Sequence, residues 1–105
     1  MILYKLEYLP VARRDILDIT KYISQELKNP QAAEQLITSL VNKLDSLTEM
    51  PYIYPTFVPI RQLDKEYRKV RVGSYMIFYW VDEYTKVITI ARVIYSKRDI
   101  ENILI

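Results

Sequence analysis

The chain has 105 residues, of which 50% are hydrophobic and 27% are charged, and its formal net charge is +2. This balance indicates one globular domain spanning residues 1–105 and excludes a disordered tail. The chain has no cysteine and no histidine, which excludes a disulfide framework and Ser–His or Cys–His nucleophile pairs and argues against a zinc site. Its single glycine excludes a P-loop and a dinucleotide fingerprint.

The first elements along the chain are a strand and a helix. Residues from Ile2 to Tyr8 alternate in polarity, which predicts a half-buried strand. Pro10 suits the start of a helix, where its missing N–H costs nothing. From Val11 to about Leu27 the apolar residues recur in steps of three or four, which predicts one helix. The charged residues that fall mostly on its other side are Arg13, Arg14, Asp15 and Asp18.

A second helix is predicted from Pro30 to about Glu49. Asn29 is a favoured N-cap, proline follows it at the first helical position, and Pro51 ends the helix. Its expected buried stripe consists of Ala33, Ile37, Leu40, Leu44 and Leu47. Two helices joined by so few residues form an antiparallel hairpin.

Residues 51–66 contain three prolines and predict an extended connection. We expect Tyr52, Tyr54 and Phe57 to hold this connection against the domain. Whether a short helix or strand lies within it stays open.

The last third is rich in strands. The predicted elements are a strand over 69–72, a Gly73-Ser74 turn of type II′, a strand over 75–81 covered on both faces, a turn over 82–86, a strand over 87–95 and a short helix over 97–104. The order is therefore β-α-α-β-β-β-α. The predicted fold is α+β, with an N-terminal strand and the helical hairpin packed on a mainly antiparallel sheet of about four strands, followed by a short C-terminal helix.

No segment predicts export or a membrane span. The N-terminal residues MILYKLEYLP lack the features of a signal peptide. The longest apolar run, Tyr75–Val81, has seven residues, far fewer than the ~20 that a membrane helix needs. We expect a cytoplasmic protein that needs no cofactor.

Charge is distributed unevenly along the chain. Residues 1–60 hold six basic and seven acidic side chains, whereas residues 61–105 hold nine basic and six acidic ones. A basic surface is expected to include Arg61, Lys65, Arg68, Arg92 and Lys97. Such a cluster fits a polyanion or an acidic partner, or it consists of solvated charges that keep the sheet soluble.

Arg92 interrupts an apolar strand and so stands apart from the other cations. A buried cation needs a charged partner. Two interpretations stay open here: a rim position with a salt bridge, or a functional role.

Two segments resemble the RelE/ParE toxin superfamily. Tyr67–Asp82 reads YRKVRVGSYMIFYWVD, and residues 90–99 read IARVIYSKRD. The first resembles the family's basic strand, glycine turn and apolar strand with an acidic end, and the second resembles its final strand and Arg-Asp ending. The segment from Tyr4 to Asp18 and the helix from Asn29 to Pro51 match in order and length, so the resemblance covers nearly the whole chain.

This resemblance implies the toxin of a type II toxin–antitoxin pair, a class that includes plasmid stabilisation proteins. The cognate antitoxin is expected to supply an acidic, partly disordered segment that wraps the groove of the helical hairpin and approaches the basic sheet, in a hetero-oligomeric complex. RelE-like members cleave mRNA in the ribosomal A site without a metal. ParE-like members poison DNA gyrase and are not enzymes.

The match to the cleaving branch is partial. The resemblance places Lys69, Arg71 and Arg98 at its catalytic basic positions. Met76 stands where that branch carries an arginine, and Leu104 falls near its C-terminal tyrosine. Because cleavage needs a base, charge stabilisation and an acid for the leaving oxygen, the acid is missing unless Tyr75 or Tyr95 replaces it.

The leading prediction is therefore a ParE-like toxin that poisons DNA gyrase or a related target. The alternative is a RelE-like, ribosome-dependent mRNA endoribonuclease that uses Lys69, Arg71 and Arg98. A third possibility is an interaction module without toxicity, whose hairpin binds a partner peptide.

Overall fold

The computed structural model describes residues 3–57 and 65–97. In chain order, its elements are strand β1 (Lys5–Tyr8), helix α1 (Pro10–Lys21), a π-helical segment (Tyr22–Glu26), helix α2 (Pro30–Glu49) and strands β2 (Arg68–Val72), β3 (Tyr75–Asp82) and β4 (Val87–Tyr95). The predicted α+β fold is confirmed. The helix predicted over 97–104 lies, apart from its first residue, outside the described residues.

The four strands form one sheet in the order β1-β4-β3-β2. Strands β2, β3 and β4 pair antiparallel in sequence, whereas β1 pairs parallel with β4, from Lys5 opposite Val87 to Tyr8 opposite Ile90. The sheet is thus mainly antiparallel, as predicted, with its first strand added beside its last.

Both helices begin where the sequence predicts. Pro10 occupies the first turn of α1, and the side chain of Asn29 accepts a hydrogen bond from the N–H of Ala32 at 3.1 Å, which caps α2. The α-helical part of the first helix ends at Lys21, however. The following turn is wider, with the Leu27 N–H donating to the Tyr22 carbonyl, so the predicted helix continues to about Leu27 in π geometry.

The turns between the strands follow their residue chemistry. Gly73 has φ +59°, as the first position of a type II′ turn requires, and Val72 pairs with Tyr75 across it. In the second turn Asp82 accepts hydrogen bonds from the N–H groups of Tyr84 and Thr85 at 3.0 and 3.2 Å.

The sheet has a buried cluster on each face, as the apolar run of β3 predicts. The face covered by the helices carries Val70, Val72, Ile77, Tyr79, Ile88, Ile90 and Val93, packed with Ala12, Leu40, Leu44 and Leu47. The opposite face carries Tyr67, Phe78, Ala91 and Ile94, with Leu9, Phe57, Met76 and Trp80 packed against them. We call these the helix face and the open face.

The pairing of β3 with β4 contains a register shift. Phe78 lies opposite Arg92, and the next residue, Tyr79, lies opposite Ile90, so Ala91 forms a bulge. Pairing with β1 also stops at Ile90. Among the described residues, the second half of β4 therefore has no strand on its outer side, where α1 contacts it instead.

Within the ranges 3–57 and 65–97, no helix is long and apolar enough to span a bilayer.

Candidate functional site

Strand β2 divides its basic residues between the two faces of the sheet. Because side chains alternate along a strand, Arg68 lies on the helix face with Val70 and Val72, while Lys69 and Arg71 lie on the open face. There Lys69 is opposite Phe78 and Arg71 is opposite Met76. The cations of β2 therefore lie on two different surfaces. Arg68 lies on the helix face, and Lys69 and Arg71 lie on the open face.

Arg68 holds the connection before β2 in place. Its Nη1 donates to the Tyr54 carbonyl at 2.8 Å, and its guanidinium carbon lies 4.9 Å from the centre of the Tyr52 ring. Its Nη2 also lies 3.6 Å from a carboxylate oxygen of Glu66, and the side chain is only 17% exposed. This arginine, predicted for the basic surface, is thus largely engaged by its own chain.

Lys69 and Arg71 are the cations that strand β2 contributes to the open face. The Lys69 ammonium lies 5.7 Å from the centre of the Phe57 ring. Arg71 is exposed and has no carboxylate partner in the described part of the chain. They form a short basic strip that runs along the outer strand of the sheet.

Arg92, the cation inside β4, is paired with helix α1. Its Nε and Nη2 donate to the two carboxylate oxygens of Asp15 at 2.7 and 2.9 Å. This pairing raises the pKa of Arg92, chiefly through the hydrogen bonds to Asp15. Of the two interpretations of Arg92, the salt bridge is the one that fits the observed contacts. Asp15 faces the sheet and not the outer side of α1.

Two further cations of the predicted basic surface lie within the described residues. Lys65 is exposed, and its ammonium lies 5.5 Å from the centre of the Trp80 ring, while Lys97 is exposed just beyond β4. Arg61 and Arg98 lie outside the described residues.

The two tyrosines considered as substitutes for the missing acid lie away from Lys69 and Arg71. Tyr75 and Tyr95 are opposite each other, with ring centres 6.0 Å apart, and Tyr75 packs against the helix-face core. Burial raises the pKa of Tyr75. The open face carries Tyr67 instead, which is only 9% exposed and contacts Trp80 edge-on.

An apolar groove runs along the helical hairpin. Its volume is about 490 Å³, and it is lined by Tyr8, Arg13, Ile16, Leu17, Ile37, Leu40, Val41 and Leu44. Leu17 is 69% exposed and Val41 is 50% exposed. Water-exposed leucine and valine along a continuous apolar groove are typical of a protein-binding surface.

A cluster around Glu83 was not predicted from the sequence. Its carboxylate accepts hydrogen bonds from the Tyr4 hydroxyl at 2.8 Å and the Tyr52 hydroxyl at 2.5 Å, and it pairs with Lys86. Hydrogen bonds from Lys86, Tyr52 and Tyr4 lower the pKa of Glu83 to about 2, and the bond to Glu83 raises the pKa of Tyr52 to about 12.

Beside this cluster is a cavity of about 360 Å³, lined by Tyr52, Lys65, Glu66, Arg68, Trp80, Val81, Asp82, Glu83 and Tyr84. The sequence carries no signal for the contact of Tyr4 with Glu83, because it depends on the position of β1 beside β4. In the described ranges no group of three or more carboxylates or other metal-binding side chains could hold a metal ion.

The sequence and the fold are both similar to known proteins. Residues 6–100 match the family described as ParE toxin of type II toxin–antitoxin system, parDE. No curated protein sequence matches significantly. The chromosomal ParDE system from P. aeruginosa has a similar structure, with a TM-score of 0.70, 18% identity, and coverage of 90% of this chain and 98% of that one.

Two further solved structures share the fold. The archaeal RelE–RelB complex from Pyrococcus horikoshii gives a TM-score of 0.62 at 17% identity, covering 92% of this chain and 99% of that one. The isolated E. coli RelE toxin gives 0.57 at 20% identity, covering 94% and 92%. At these identities the similarity concerns the fold alone.

Proposed function

Because the chain belongs to the ParE toxin family of type II toxin–antitoxin systems, we propose that it inhibits growth by poisoning DNA gyrase and that a cognate antitoxin neutralises it. It then acts by binding and has no catalytic residues of its own. The observation that carries this proposal is the composition of the open face around Lys69 and Arg71.

Within residues 3–57 and 65–97, that face carries few of the groups that RNA cleavage needs. Lys69, Phe78 and Arg92 lie in one row across β2, β3 and β4, and Arg92 is held by Asp15. In the neighbouring row, Arg71 is followed by the apolar residues Met76 and Ile94. Among the described residues at the predicted catalytic positions, charge stabilisation of a scissile phosphate would rest on Lys69 and Arg71. Because Tyr75 and Tyr95 lie on the helix side, neither is placed to protonate the leaving oxygen.

The alternative function, a ribosome-dependent mRNA endoribonuclease, is favoured by one observation. Lys69 and Arg71 share the open face, two positions apart, so both can reach the same phosphate backbone. Arg98 would be the third basic residue of that mechanism.

Two assays with purified protein distinguish these functions. We expect inhibition of gyrase supercoiling, and we expect no A-site cleavage when mRNA ends are mapped in a translating extract. The double variant Lys69→Ala/Arg71→Ala and the single variant Arg98→Ala should both retain toxicity if cleavage is not the mechanism. Lys21→Ala, an exposed lysine on α1, is the matched control. Cleavage that is lost in these variants but not in the control would overturn the gyrase proposal.

The antitoxin is proposed to occupy the apolar groove of the hairpin. An amphipathic segment can place its apolar side against Ile16, Leu17 and Val41, while its acidic residues approach Arg13 at the rim. Such a segment orders as it binds. If expression of the chain without an antitoxin causes no growth defect, the toxin proposal fails and the interaction-module hypothesis gains.

A further inference from the structure

Strand β3 extends past its neighbour β2 at the end that leads into the turn over 82–86. Strand β2 begins at Arg68, which lies opposite Tyr79, so β3 continues past it through Trp80–Asp82. The cavity of about 360 Å³ beside the Glu83 cluster lies against this end of β3, and we call it the Trp80 cavity. Among the described residues it shares no lining side chain with the hairpin groove, so the two are separate surfaces.

Two aromatic rings of the Trp80 cavity each contact a cation from the same chain. The Lys65 ammonium lies 5.5 Å from the centre of the Trp80 ring, and the Arg68 guanidinium carbon lies 4.9 Å from the centre of the Tyr52 ring. At these distances the negative face of an aromatic ring attracts a positive charge. The cavity therefore already holds positive groups against its rings.

These two cations are held with different strength. Arg68 is only 17% exposed and donates to the Tyr54 carbonyl at 2.8 Å, so its position is fixed. Lys65 is exposed and has no carboxylate partner in the described ranges. A cation–π contact at an exposed site is weak, and holding a lysine side chain in one position costs conformational entropy. An ammonium group from outside can therefore replace Lys65 on the Trp80 ring.

The carboxylates of the Trp80 cavity differ in the same respect. Glu66 faces Arg68 at 3.6 Å, and Glu83 pairs with Lys86. Asp82 uses its Oδ1 to accept two N–H groups of the turn, and no cation pairs with it in the described ranges. Asp82 is therefore the carboxylate whose charge is available to a cation from outside.

Trp80 and Asp82 point to the same side of β3. Side chains two positions apart on a strand share a face and lie about 7 Å from each other along the strand. A ligand that binds both needs one positive charge over the ring and a second one at the carboxylate. A linear diamine with a chain of four carbons has its two ammonium groups at about this spacing.

The backbone of Val81 lies between these two positions. The Lys69 N–H donates outward to the Pro55 carbonyl, and hydrogen-bond direction alternates along an antiparallel strand, so Arg68 pairs inward with Tyr79. Val81 is two residues beyond Tyr79 and lines the cavity. Its C=O therefore points into the cavity, where it can accept a hydrogen bond from an ammonium group.

We infer that the Trp80 cavity binds a short aliphatic diamine, with one ammonium replacing Lys65 over the Trp80 ring and the other paired with Asp82. An organic cation fits better than a metal ion, because an aromatic face attracts alkylammonium groups and the described residues include no metal-binding cluster. The inference is independent of the proposed function, and its failure would leave that proposal unchanged.

The first test uses the unaltered chain and NMR. The chain has one tryptophan, so a single indole N–H resonance reports this cavity. Titration with putrescine, the four-carbon diamine, at constant ionic strength should shift this resonance and the side-chain resonances of Lys65. Half-saturation is expected at roughly 1 mM, because the ligand is so small.

Two controls separate the ligand's chemistry from its charge. Butanediol has the same chain without the charge, and magnesium chloride supplies the charge without the chain. Neither should shift the indole resonance. If putrescine gives no saturable shift, or if magnesium ions give the same shift, the inference is wrong.

The second test removes the side chain that occupies the ring. Lys65→Ala should strengthen putrescine binding by at least about three-fold, because the competing ammonium of the same chain is lost. Lys43→Ala is the matched control, since its ammonium lies 5.6 Å from the centre of the Tyr54 ring outside the cavity. Weaker binding in Lys65→Ala, or an equal change in both variants, would contradict the displacement of Lys65.

The third test concerns the carboxylate. Asp82→Asn keeps an oxygen that can accept the N–H groups of the turn and removes the charge. Putrescine binding should weaken by at least about three-fold, whereas butylamine, which has one ammonium, should lose less affinity. Asp18→Asn, at an exposed position of α1, is the control. Unchanged putrescine binding in Asp82→Asn would exclude the second ammonium position and overturn the diamine site.

Discussion

Asp15 on α1 and Arg92 on β4 are joined by two hydrogen bonds of 2.7 and 2.9 Å, and the same carboxylate accepts the Val93 N–H at 3.0 Å. The aspartate thereby binds a backbone group that has no β1 neighbour, because β1 ends opposite Ile90. One helix side chain thus completes the part of the sheet that the short first strand leaves open.

We therefore expect Asp15→Ala to destabilise the fold by about 2 kcal/mol, because it leaves both the Arg92 guanidinium and the Val93 N–H without their acceptor. Asp15→Asn keeps an acceptor and should cost less. Urea denaturation of both variants measures the difference. Asp18→Ala, on an exposed position of the same helix, is the control. A loss below about 0.5 kcal/mol for Asp15→Ala would show that solvent replaces the carboxylate.

Tyr79 gives a second stability test. Its ring is fully buried and its hydroxyl donates to the Pro51 carbonyl at 2.8 Å, which attaches the end of the hairpin to the sheet. Tyr79→Phe should lower the free energy of unfolding by about 1 kcal/mol, since the Pro51 carbonyl loses its donor. Tyr84→Phe, at a fully exposed ring, should have no measurable effect.

The same tyrosine predicts a loss of stability at high pH. Burial raises the pKa of Tyr79 to about 12, above the value near 10 of an unfolded tyrosine. The folded state holds this proton more tightly, so its contribution is complete below about pH 10 and is lost as the pH rises toward 12. The free energy of unfolding should fall over this range, and less steeply in Tyr79→Phe. If the free energy of unfolding falls equally steeply with pH in the unaltered chain and in Tyr79→Phe, Tyr79 is not the cause of the loss.

Glu83 predicts the opposite dependence in acid. Its pKa is lowered to about 2 by the hydrogen bonds from Lys86, Tyr52 and Tyr4. Its contribution is therefore present above about pH 4.5 and declines as the pH falls toward 2. Because the group is exposed, the effect should be small and should weaken with salt. At low ionic strength, Glu83→Gln should reduce the fall in the free energy of unfolding that occurs below about pH 4.5. Glu34→Gln, on the outer side of α2, should leave this fall unchanged.

The hairpin groove predicts the effect of surface charge on antitoxin binding. Leu17→Glu and Val41→Asp place a carboxylate inside the groove at positions that are already exposed, so folding should change little. Affinity for the antitoxin should fall by at least roughly ten-fold, because the apolar contact is lost and an acidic partner is repelled. Gln35→Asp, on the polar side of α2, is the matched control. Unchanged affinity in the groove variants would place the antitoxin elsewhere.

The helices and strands could be predicted from the sequence because local chemistry determines them. Asn29 and Pro30 set the start of α2, Gly73 sets the first turn between strands, and the apolar run of β3 indicates its cover on both faces. At these positions the neighbouring residues alone determine the element, and the prediction and the structure agree.

The arrangement of the charges could not be predicted in the same way. The helical pattern puts Asp15 among the charged residues mostly on the outer side of α1, since nothing local shows that β4 extends past β1 and needs an acceptor there. In the Glu83 cluster, Tyr4 and Glu83 are 79 positions apart in the chain, and the parallel pairing of β1 with β4 brings them together. The alternation of side chains along β2 does predict that Arg68 lies on the opposite face from Lys69 and Arg71. It does not show which of the two faces the helices cover, so it does not show which of these cations lie on the open face.

The parallel pairing of β1 with β4 has a consequence for folding during synthesis. Residues 5–8 cannot enter the sheet until residues 87–90 have left the ribosome, because those residues are their partners. The two helices are complete much earlier and must hold their apolar sides without the sheet during that interval. A nascent chain of this protein therefore depends on strand β4 to close its core.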